Sequence, residues 1–328
     1  MNRRELVVGE AEGGLRLDKA IAALCPDLSR NAARALISAG GVFLAGKRVR
    51  VASRQVRPGQ VVQITLSEGG RLAPKQTRPI DPRRVLHVDP HLIAVDKPAG
   101  VPAQATLTSD RDTLPAQVGA HLNAPVGLVH RLDRGTSGVT IFGRRTKATR
   151  ALAEAFREGQ ARKLYLALCQ GTLPAETGRF EGRLAPRPGR AGGFECVESG
   201  GIYAATTYRH LGVLGETGQG APLCAVALWP ETGRTHQLRV HLSTLGAPIL
   251  GDRRYGGPDH LTLRDGRRLE LGRALLHARA LGLPHPCAAP DLELCAPLPP
   301  DFLDLVEALG APASLLEGPT LAGLPLAP

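Results

Sequence analysis

Four strand-length runs constrain this chain most. They are VTIFGRR at 139–145, ARKLYLALCQGTL at 161–173, AATTYRHLGVL at 204–214 and LCAVALWP at 223–230. Each is short, apolar and punctuated by Gly or Pro, which is how strands of a buried sheet read. Earlier, VLHVDPHLIAVDKPAGVPAQ (85–104) gives two more strands around a turn at Asp89-Pro90. The helical segments do not alternate with them. One follows VTIFGRR, with Thr146 as its cap and Ala148, Leu152, Ala155 and Phe156 on one stripe. Another lies within TGRTHQLRVHLSTLGAPILGD (232–252), with Thr235 as cap, a Leu238/Leu242/Leu245 stripe, Gly246 as C-cap and Pro248 beyond. Without a regular βαβ alternation the body is α+β, not a doubly wound parallel sheet.

The N-terminal residues have another texture. RLDKAIAALC (16–25) carries Leu17, Ile21 and Leu24 on one helical face, and Pro26 ends it. DLSRNAARALISAGG then offers Ser29 as an N-cap, an Ala33/Leu36/Ile37 stripe and a Gly40-Gly41 stop. Short strands joined at Ala45-Gly46 and Pro58-Gly59 complete a small module. Residues 67–84, rich in Pro, Gly and charge, read as a linker. After 300 there is one helix, 301–309, and then a Pro/Gly-rich end expected to be mobile.

Charge says what such a chain meets. Its formal net charge is +11, and residues 15–64 hold nine Lys/Arg against two Asp/Glu, whereas 301–328 hold four acids and no base. A localised basic surface of this kind suits a polyanion. Arg30 and Arg34 on the second helix and Lys47, Arg48 and Arg50 on the hairpin are the expected phosphate contacts. No apolar run reaches the ~18 residues of a membrane span, and the first residues lack a signal peptide's apolar core. A cytoplasmic protein is expected. Six scattered cysteines without CxxC spacing read as reduced thiols.

The chemistry concentrates in GLVHRLDRGTSG (127–138), where Asp133 stands between Arg131 and Arg134. A carboxylate near a core needs a cationic partner to stay ionised, and Arg131, Arg134 and the distant Arg234 are candidates. Held ionised, it can act as a nucleophile or a base; otherwise it is a structural ion pair. His236 and His241 are five apart, about 140° around a helix, and lack the i,i+4 spacing of a zinc pair. His130, His236 and His241 therefore read as capping, hydrogen-bonding or core residues, and no metal is expected. The glycines of AGVPAQ and RGTSG match no nucleotide-binding motif. They suit tight turns or close approach of backbone to a ligand. Tyr165 in RKLYLAL is either a core-edge tyrosine or a ring that stacks on a base.

HRLDRGTSG, RKLYLALCQG and TGRTHQLRVHLSTLGAPILGD in this order, with DKPAGVP before and LLHARALGLPHP after, resemble the RluA family of RNA pseudouridine synthases. The module at 15–64 is similar to a ribosomal S-four-type (α-L) RNA-binding domain. The resemblance implies four parts: residues 1–66 as the RNA-binding domain, 67–84 as linker, 85–300 as catalytic domain and 301–328 as an extension. It implies a central mixed, largely antiparallel sheet split by a catalytic cleft. It makes Asp133 the catalytic residue, Tyr165 the base-stacking residue and Arg234 the salt-bridge partner of Asp133. Arg131 would fill the space vacated by a flipped uridine, with His130, Leu132, Thr136, His236 and Leu238 also at the substrate. The reaction it implies is an isomerisation without cofactor or metal. The expected RNA is ribosomal, from the large subunit, with transfer RNA as the alternative. A monomer is the default. A catalytically silent RNA-binding or ribosome-assembly protein would keep the scaffold without the chemistry, but Asp133, Tyr165 and Arg234 all stand in their blocks. A metal-dependent nuclease would need clustered carboxylates, which the chain lacks.

Overall fold

A computed structural model describes residues 2–66, 77–104, 113–189, 192–287 and 290–321. The chain divides into two compact units, Met1–Arg78 with Ala105–Ala116, and Pro79–Gln104 with Gln117–Pro328.

The smaller unit is a four-stranded sheet with two helices. Its strands are β1 (Asn2–Val7), β2 (Val42–Leu44), β3 (Lys47–Arg48) and β4 (Val61–Leu66), in the order β1-β4-β2-β3. The helices are α1 (Leu17–Leu24) and α2 (Arg30–Ser38). Leu17, Ile21, Ala33, Leu36 and Ile37 bury their stripes with Val42, Val62 and Ile64. The Ser29 hydroxyl accepts from the Ala32 amide at 3.1 Å, the expected N-cap. Ala45 and Gly46 both adopt positive φ, 48° and 75°, the tight hairpin turn between β2 and β3.

The basic residues of this unit are less free than the sequence suggests. Asp18 is fully buried; its carboxylate accepts from Arg16 (3.1 Å) and Arg30 (3.1 Å) and forms an ion pair with Arg34 (3.2 Å). Burial alone would raise the Asp18 carboxyl, but the hydrogen bonds from Arg16 and Arg30 outweigh it and lower it. Arg48 lies over the Phe43 ring at 4.9 Å, and Arg50 donates to the Ser38 carbonyl.

The larger unit is built on one eleven-stranded sheet. Its strands in chain order are β5 (Val85–Val88), β6 (Leu92–Lys97), β7 (Gly127–Leu128), β8 (Ser137–Gly143), β9 (Arg162–Gln170), β10 (Thr177–Pro186), β11 (Phe194–Val197), β12 (Ile202–Glu216) and β13 (Pro222–Pro230), then β16 (Leu276–Leu283) and β17 (Leu292–Cys295). Between the last groups, β14 (His260–Thr262) and β15 (Arg268–Glu270) form a separate hairpin. The sheet order is β11-β10-β12-β13-β9-β16-β8-β6-β5, with β7 against β8 and β17 against β16. The unit's helices are α4 (Thr146–Arg157), α5 (Gln237–Thr244) and α6 (Pro300–Ala308), and α3 (Leu114–Leu122) belongs to it from Gln117 onward. The α+β architecture is as expected.

Among the described residues β8–β16 is the one parallel pairing of this sheet, through His277↔Ser137 and Ala278↔Gly138. Farther along, β16 pairs with β17 instead, from Ala280↔Cys295 to Leu283↔Leu292. The sheet therefore forks at β16. One transverse row crosses the fork: Leu228 pairs with Tyr165, Tyr165 with Ala278, and Ala278 with Gly138. Gly138 makes this possible, with φ 113° and a position where a Cβ would sit 2.1 Å from the Ala278 carbonyl oxygen. This glycine serves a backbone-to-backbone approach.

Two boundaries differ from expectation. In the linker, residues 67–76 lie outside the described residues, but Ile80 is buried and Pro82–Arg84 forms a 3-10 turn. Arg84 there pairs with Asp96 at 2.6 Å. At the other end α6 buries Phe302, Leu305 and Val306 in the main core, at roughly 1.5–3 kcal/mol each. Leu316, in the stretch expected to be mobile, is buried too; residues 322–328 lie outside the described residues. No described helix is long and apolar enough to cross a membrane.

Candidate active site

The loop before β8 carries Asp133 to the fork of the sheet. Lys97, at the end of β6, anchors that loop. Its buried ammonium donates to the carbonyls of Pro98 (3.0 Å), Val101 (2.9 Å) and Arg134 (3.2 Å). Three N–H donors meet three acceptors, one of them on the residue after Asp133. Burial lowers the Lys97 ammonium to about 7, with the Arg273 charge acting the same way. The Gly100 amide also donates to the Arg134 carbonyl, and the Arg134 guanidinium returns a bond to the Gly100 carbonyl. The DKPAG turn and the HRLDRG loop thus form one hydrogen-bonded unit.

Asp133 is 26% exposed at its side chain and opens onto two hollows. The first is a cavity of about 110 Å³ lined by Asp133, Tyr165, Lys163, Arg234, His236 and others. That is room for one planar ring or several waters. The second, about 950 Å³, is a groove with Arg134, Arg239, Arg253, Arg254 and Arg273 along it.

Arg239 is the residue that holds Asp133. Its guanidinium donates to Asp133 Oδ2 at 3.2 Å and, bidentate, to the buried Asp252 at 2.6 and 2.7 Å. The expected partner, Arg234, points elsewhere, and its Nε donates to the Tyr203 carbonyl at 3.0 Å. The reason is local. His236 takes a left-handed backbone, φ 58°, so α5 begins at Gln237 and its first turn aims Arg239, not Arg234, at the loop. Thr235 does not cap the helix; its hydroxyl accepts from Arg131 at 3.3 Å. Arg145 and not Thr146 is likewise the N-cap residue of α4.

His236 sits between two partners. Its Nδ1 is 2.6 Å from the Tyr255 hydroxyl, and its Nε2 is 3.8 Å from Asp133. The Tyr255 oxygen also accepts from the Phe194 amide, which fixes the hydroxyl against the ring and turns Nε2 toward Asp133. Burial lowers the imidazole while the Asp133 charge opposes that shift. Tyr165 on β9 lines the same cavity, and burial together with the Asp133 charge raises its phenol, so it stays protonated.

His130, expected at the substrate, does not line the cavity. Its ring stacks on Phe156 (4.5 Å, 15°) and its Nε2 accepts from the Ile141 amide. Burial, and then the Lys163 charge, lower it to about 3. Its role in this structure is to fix the loop from behind. Arg131, Leu132, Thr136, His236 and Leu238 do line the cavity.

Comparison with known proteins decides the family. Residues 91–244 match the model described as RNA pseudouridylate synthase, and 15–62 match the S4 domain. An RNA pseudouridine synthase of Chloroflexus aurantiacus is 37% identical over 322 residues, 95% of this chain and 95% of that protein. The chain belongs to the RNA pseudouridylate synthase family. The ribosomal large subunit pseudouridine synthase D of Xanthomonas campestris pv. campestris is 33% identical, over 93% of this chain and 92% of that protein. The solved structure of human RNA pseudouridylate synthase domain containing 4 superposes with a TM-score of 0.53 at 29% identity, covering 70% of this chain and 93% of that one.

As a pseudouridine synthase the chain is an isomerase acting on RNA, with the family's sheet and an S-four-type module, as its blocks imply. Sequence reasoning missed four residues of this synthase's site. Arg239 lies within TGRTHQLRVHLSTLGAPILGD, five residues past Arg234. Lys163 stands two before Tyr165, on the same face of β9. Gln237 is buried, accepts from the Arg234 amide and the Thr232 hydroxyl, and donates to the Ala205 carbonyl. Tyr255, three residues past the 232–252 stretch, orients His236, and no sequence signal marks it.

Proposed function

We propose that this pseudouridine synthase isomerises uridines of large-subunit ribosomal RNA, with Asp133 as the reacting carboxylate. The observation that carries this reading is the position of Asp133. It is bonded to Arg239, and it opens onto a ring-sized cavity shared with Tyr165. A base inside a helix cannot reach such a cavity, so the uridine is flipped out of its stack. Tyr165 stacks on the flipped ring, Arg131 at the rim fills the space it leaves, and Leu132, Thr136 and Leu238 exclude water while the base is detached. The arginine-rich groove on the other side of Asp133 takes the flanking phosphates.

Large-subunit RNA is favoured because several relatives are named ribosomal large subunit pseudouridine synthase D. The test incubates the purified chain with a large-subunit rRNA transcript and, separately, with transfer RNA. Conversion of one or a few uridines in the first alone is expected. Conversion in transfer RNA alone would reassign the target. Binding to both without conversion would favour a silent RNA-binding role.

A further inference from the structure

Lys163 is a cation of the cavity to which the functional reading gives no role. It shares the cavity lining with Asp133, Tyr165, Arg131, Arg234 and His236. Arg131 and Arg234 are exposed, whereas Lys163 is half-buried on β9, two residues before Tyr165. Among the described residues its ammonium makes one long hydrogen bond, 3.4 Å to the Thr232 carbonyl. Among the described residues no carboxylate pairs with it. An ammonium withdrawn from water without a counter-ion is costly, and burial accordingly lowers it to about 8. A site that keeps such a charge has use for an anion that is not always there.

The reaction makes that anion. When the bond between the ribose and the uracil ring nitrogen breaks, its electron pair stays with uracil, and the charge spreads onto the two carbonyl oxygens. The pair at carbon-5 then forms the new bond to the ribose carbon. The proton on carbon-5 is lost, and the ring nitrogen gains one, so the isomerisation balances without a co-reactant. We propose that Lys163 is a further catalytic residue: its ammonium donates a hydrogen bond to a uracil carbonyl oxygen and stabilises the detached base. A donor that binds the detached ring more strongly than intact uridine accelerates the step instead of merely tightening binding. This rests on the pseudouridine synthase reading above.

The groups facing Lys163 are Asp133 and Arg131 from the loop before β8, His130 behind that loop, Tyr165 on its own strand, and Arg234 and His236 from the turn before α5. The test is single-turnover conversion of rRNA with enzyme in excess, for the wild type, Lys163→Met and Lys163→Arg. Lys163→Met is expected to slow conversion by about 100- to 1,000-fold, with RNA affinity within about twofold. The wild-type rate should fall as pH rises through about 8. In Lys163→Arg that fall should vanish, because a guanidinium stays protonated. Lys97 titrates lower and is present in both proteins, so it cancels in their ratio. Equal rates for wild type and Lys163→Met overturn the proposal and leave the isomerase reading intact. So do identical alkaline falls in wild type and Lys163→Arg, a comparison that needs no stable methionine variant. A wild type that converts no uridine at all would overturn the reading on which the proposal rests.

Discussion

Asp133 and Arg239 are 106 residues apart in sequence and bonded in space. Two arginines in one block were candidates for that bond, and nothing in the letters THQLR separates them. The left-handed residue at His236 does, and backbone handedness at a non-glycine cannot be read from composition. The two arginines should therefore behave differently. Arg239→Met strands the buried Asp252 carboxylate and should cost about 3–5 kcal/mol. It also releases Asp133, and a misplacement of about 1 Å can cost roughly 100-fold in rate. Arg234→Met, at an exposed side chain, should stay within about 1 kcal/mol of wild type. Thermal unfolding and single-turnover rates check both, and equal destabilisation by the two substitutions would contradict the geometry. Asp133 was legible because two arginines and a Gly/Thr/Ser turn stand beside it in one compact stretch, 127–138. Its orienting partners, Arg239, His236 and Tyr255, converge only on folding.

Among the elements, the legible ones are those stabilised by burial. β8 is buried along its whole length, β13 is almost wholly apolar, β9 carries the apolar run at 164–169, and α4 shows its stripe at helical spacing. β10 did not stand out because exposed charge pairs replace apolar alternation on its outer face. Arg179 on it meets Glu181, Glu231 and the Tyr203 hydroxyl. β1, NRRELV, is likewise charged and gains its order by pairing along its whole length with β4. The parallel contact of β8 with β16 depends on Gly138. Gly138→Ala would place a methyl 2.1 Å from a backbone oxygen at a φ of 113°, so this contact should open. A loss of more than about 3 kcal/mol is expected, read as a fall in Tm of roughly 2–4 °C per kcal/mol. Ordinary Gly→Ala tolerance at this position would show that the two strands are not in close register.

At the scale of the whole molecule, charge and protons set the working range. Burial lowers His130 and His277 to about 3 and His241 to about 4, from 6.5. Each binds its proton more weakly folded than unfolded. Their contribution to stability is therefore full above pH 6.5 and is lost as pH falls from there toward 3–4. The slope is roughly 1.4 kcal/mol per pH unit per histidine within that window. Denaturant midpoints measured from pH 7 down to pH 4 should fall steadily, and a flat profile would contradict the burial of these rings. The basic N-terminal module predicts RNA affinity that drops steeply with salt, although Arg30 and Arg34 each already serve Asp18. Replacing either should weaken RNA binding and loosen α1 against α2 together. The most direct test of the whole account is pseudouridine mapping of RNA from cells that carry the gene, lack it, or express Asp133→Ala. The account predicts that one or a few large-subunit sites vanish in both the null and the Asp133→Ala strain. Sites that vanish in the null but persist with Asp133→Ala would contradict the assignment of Asp133.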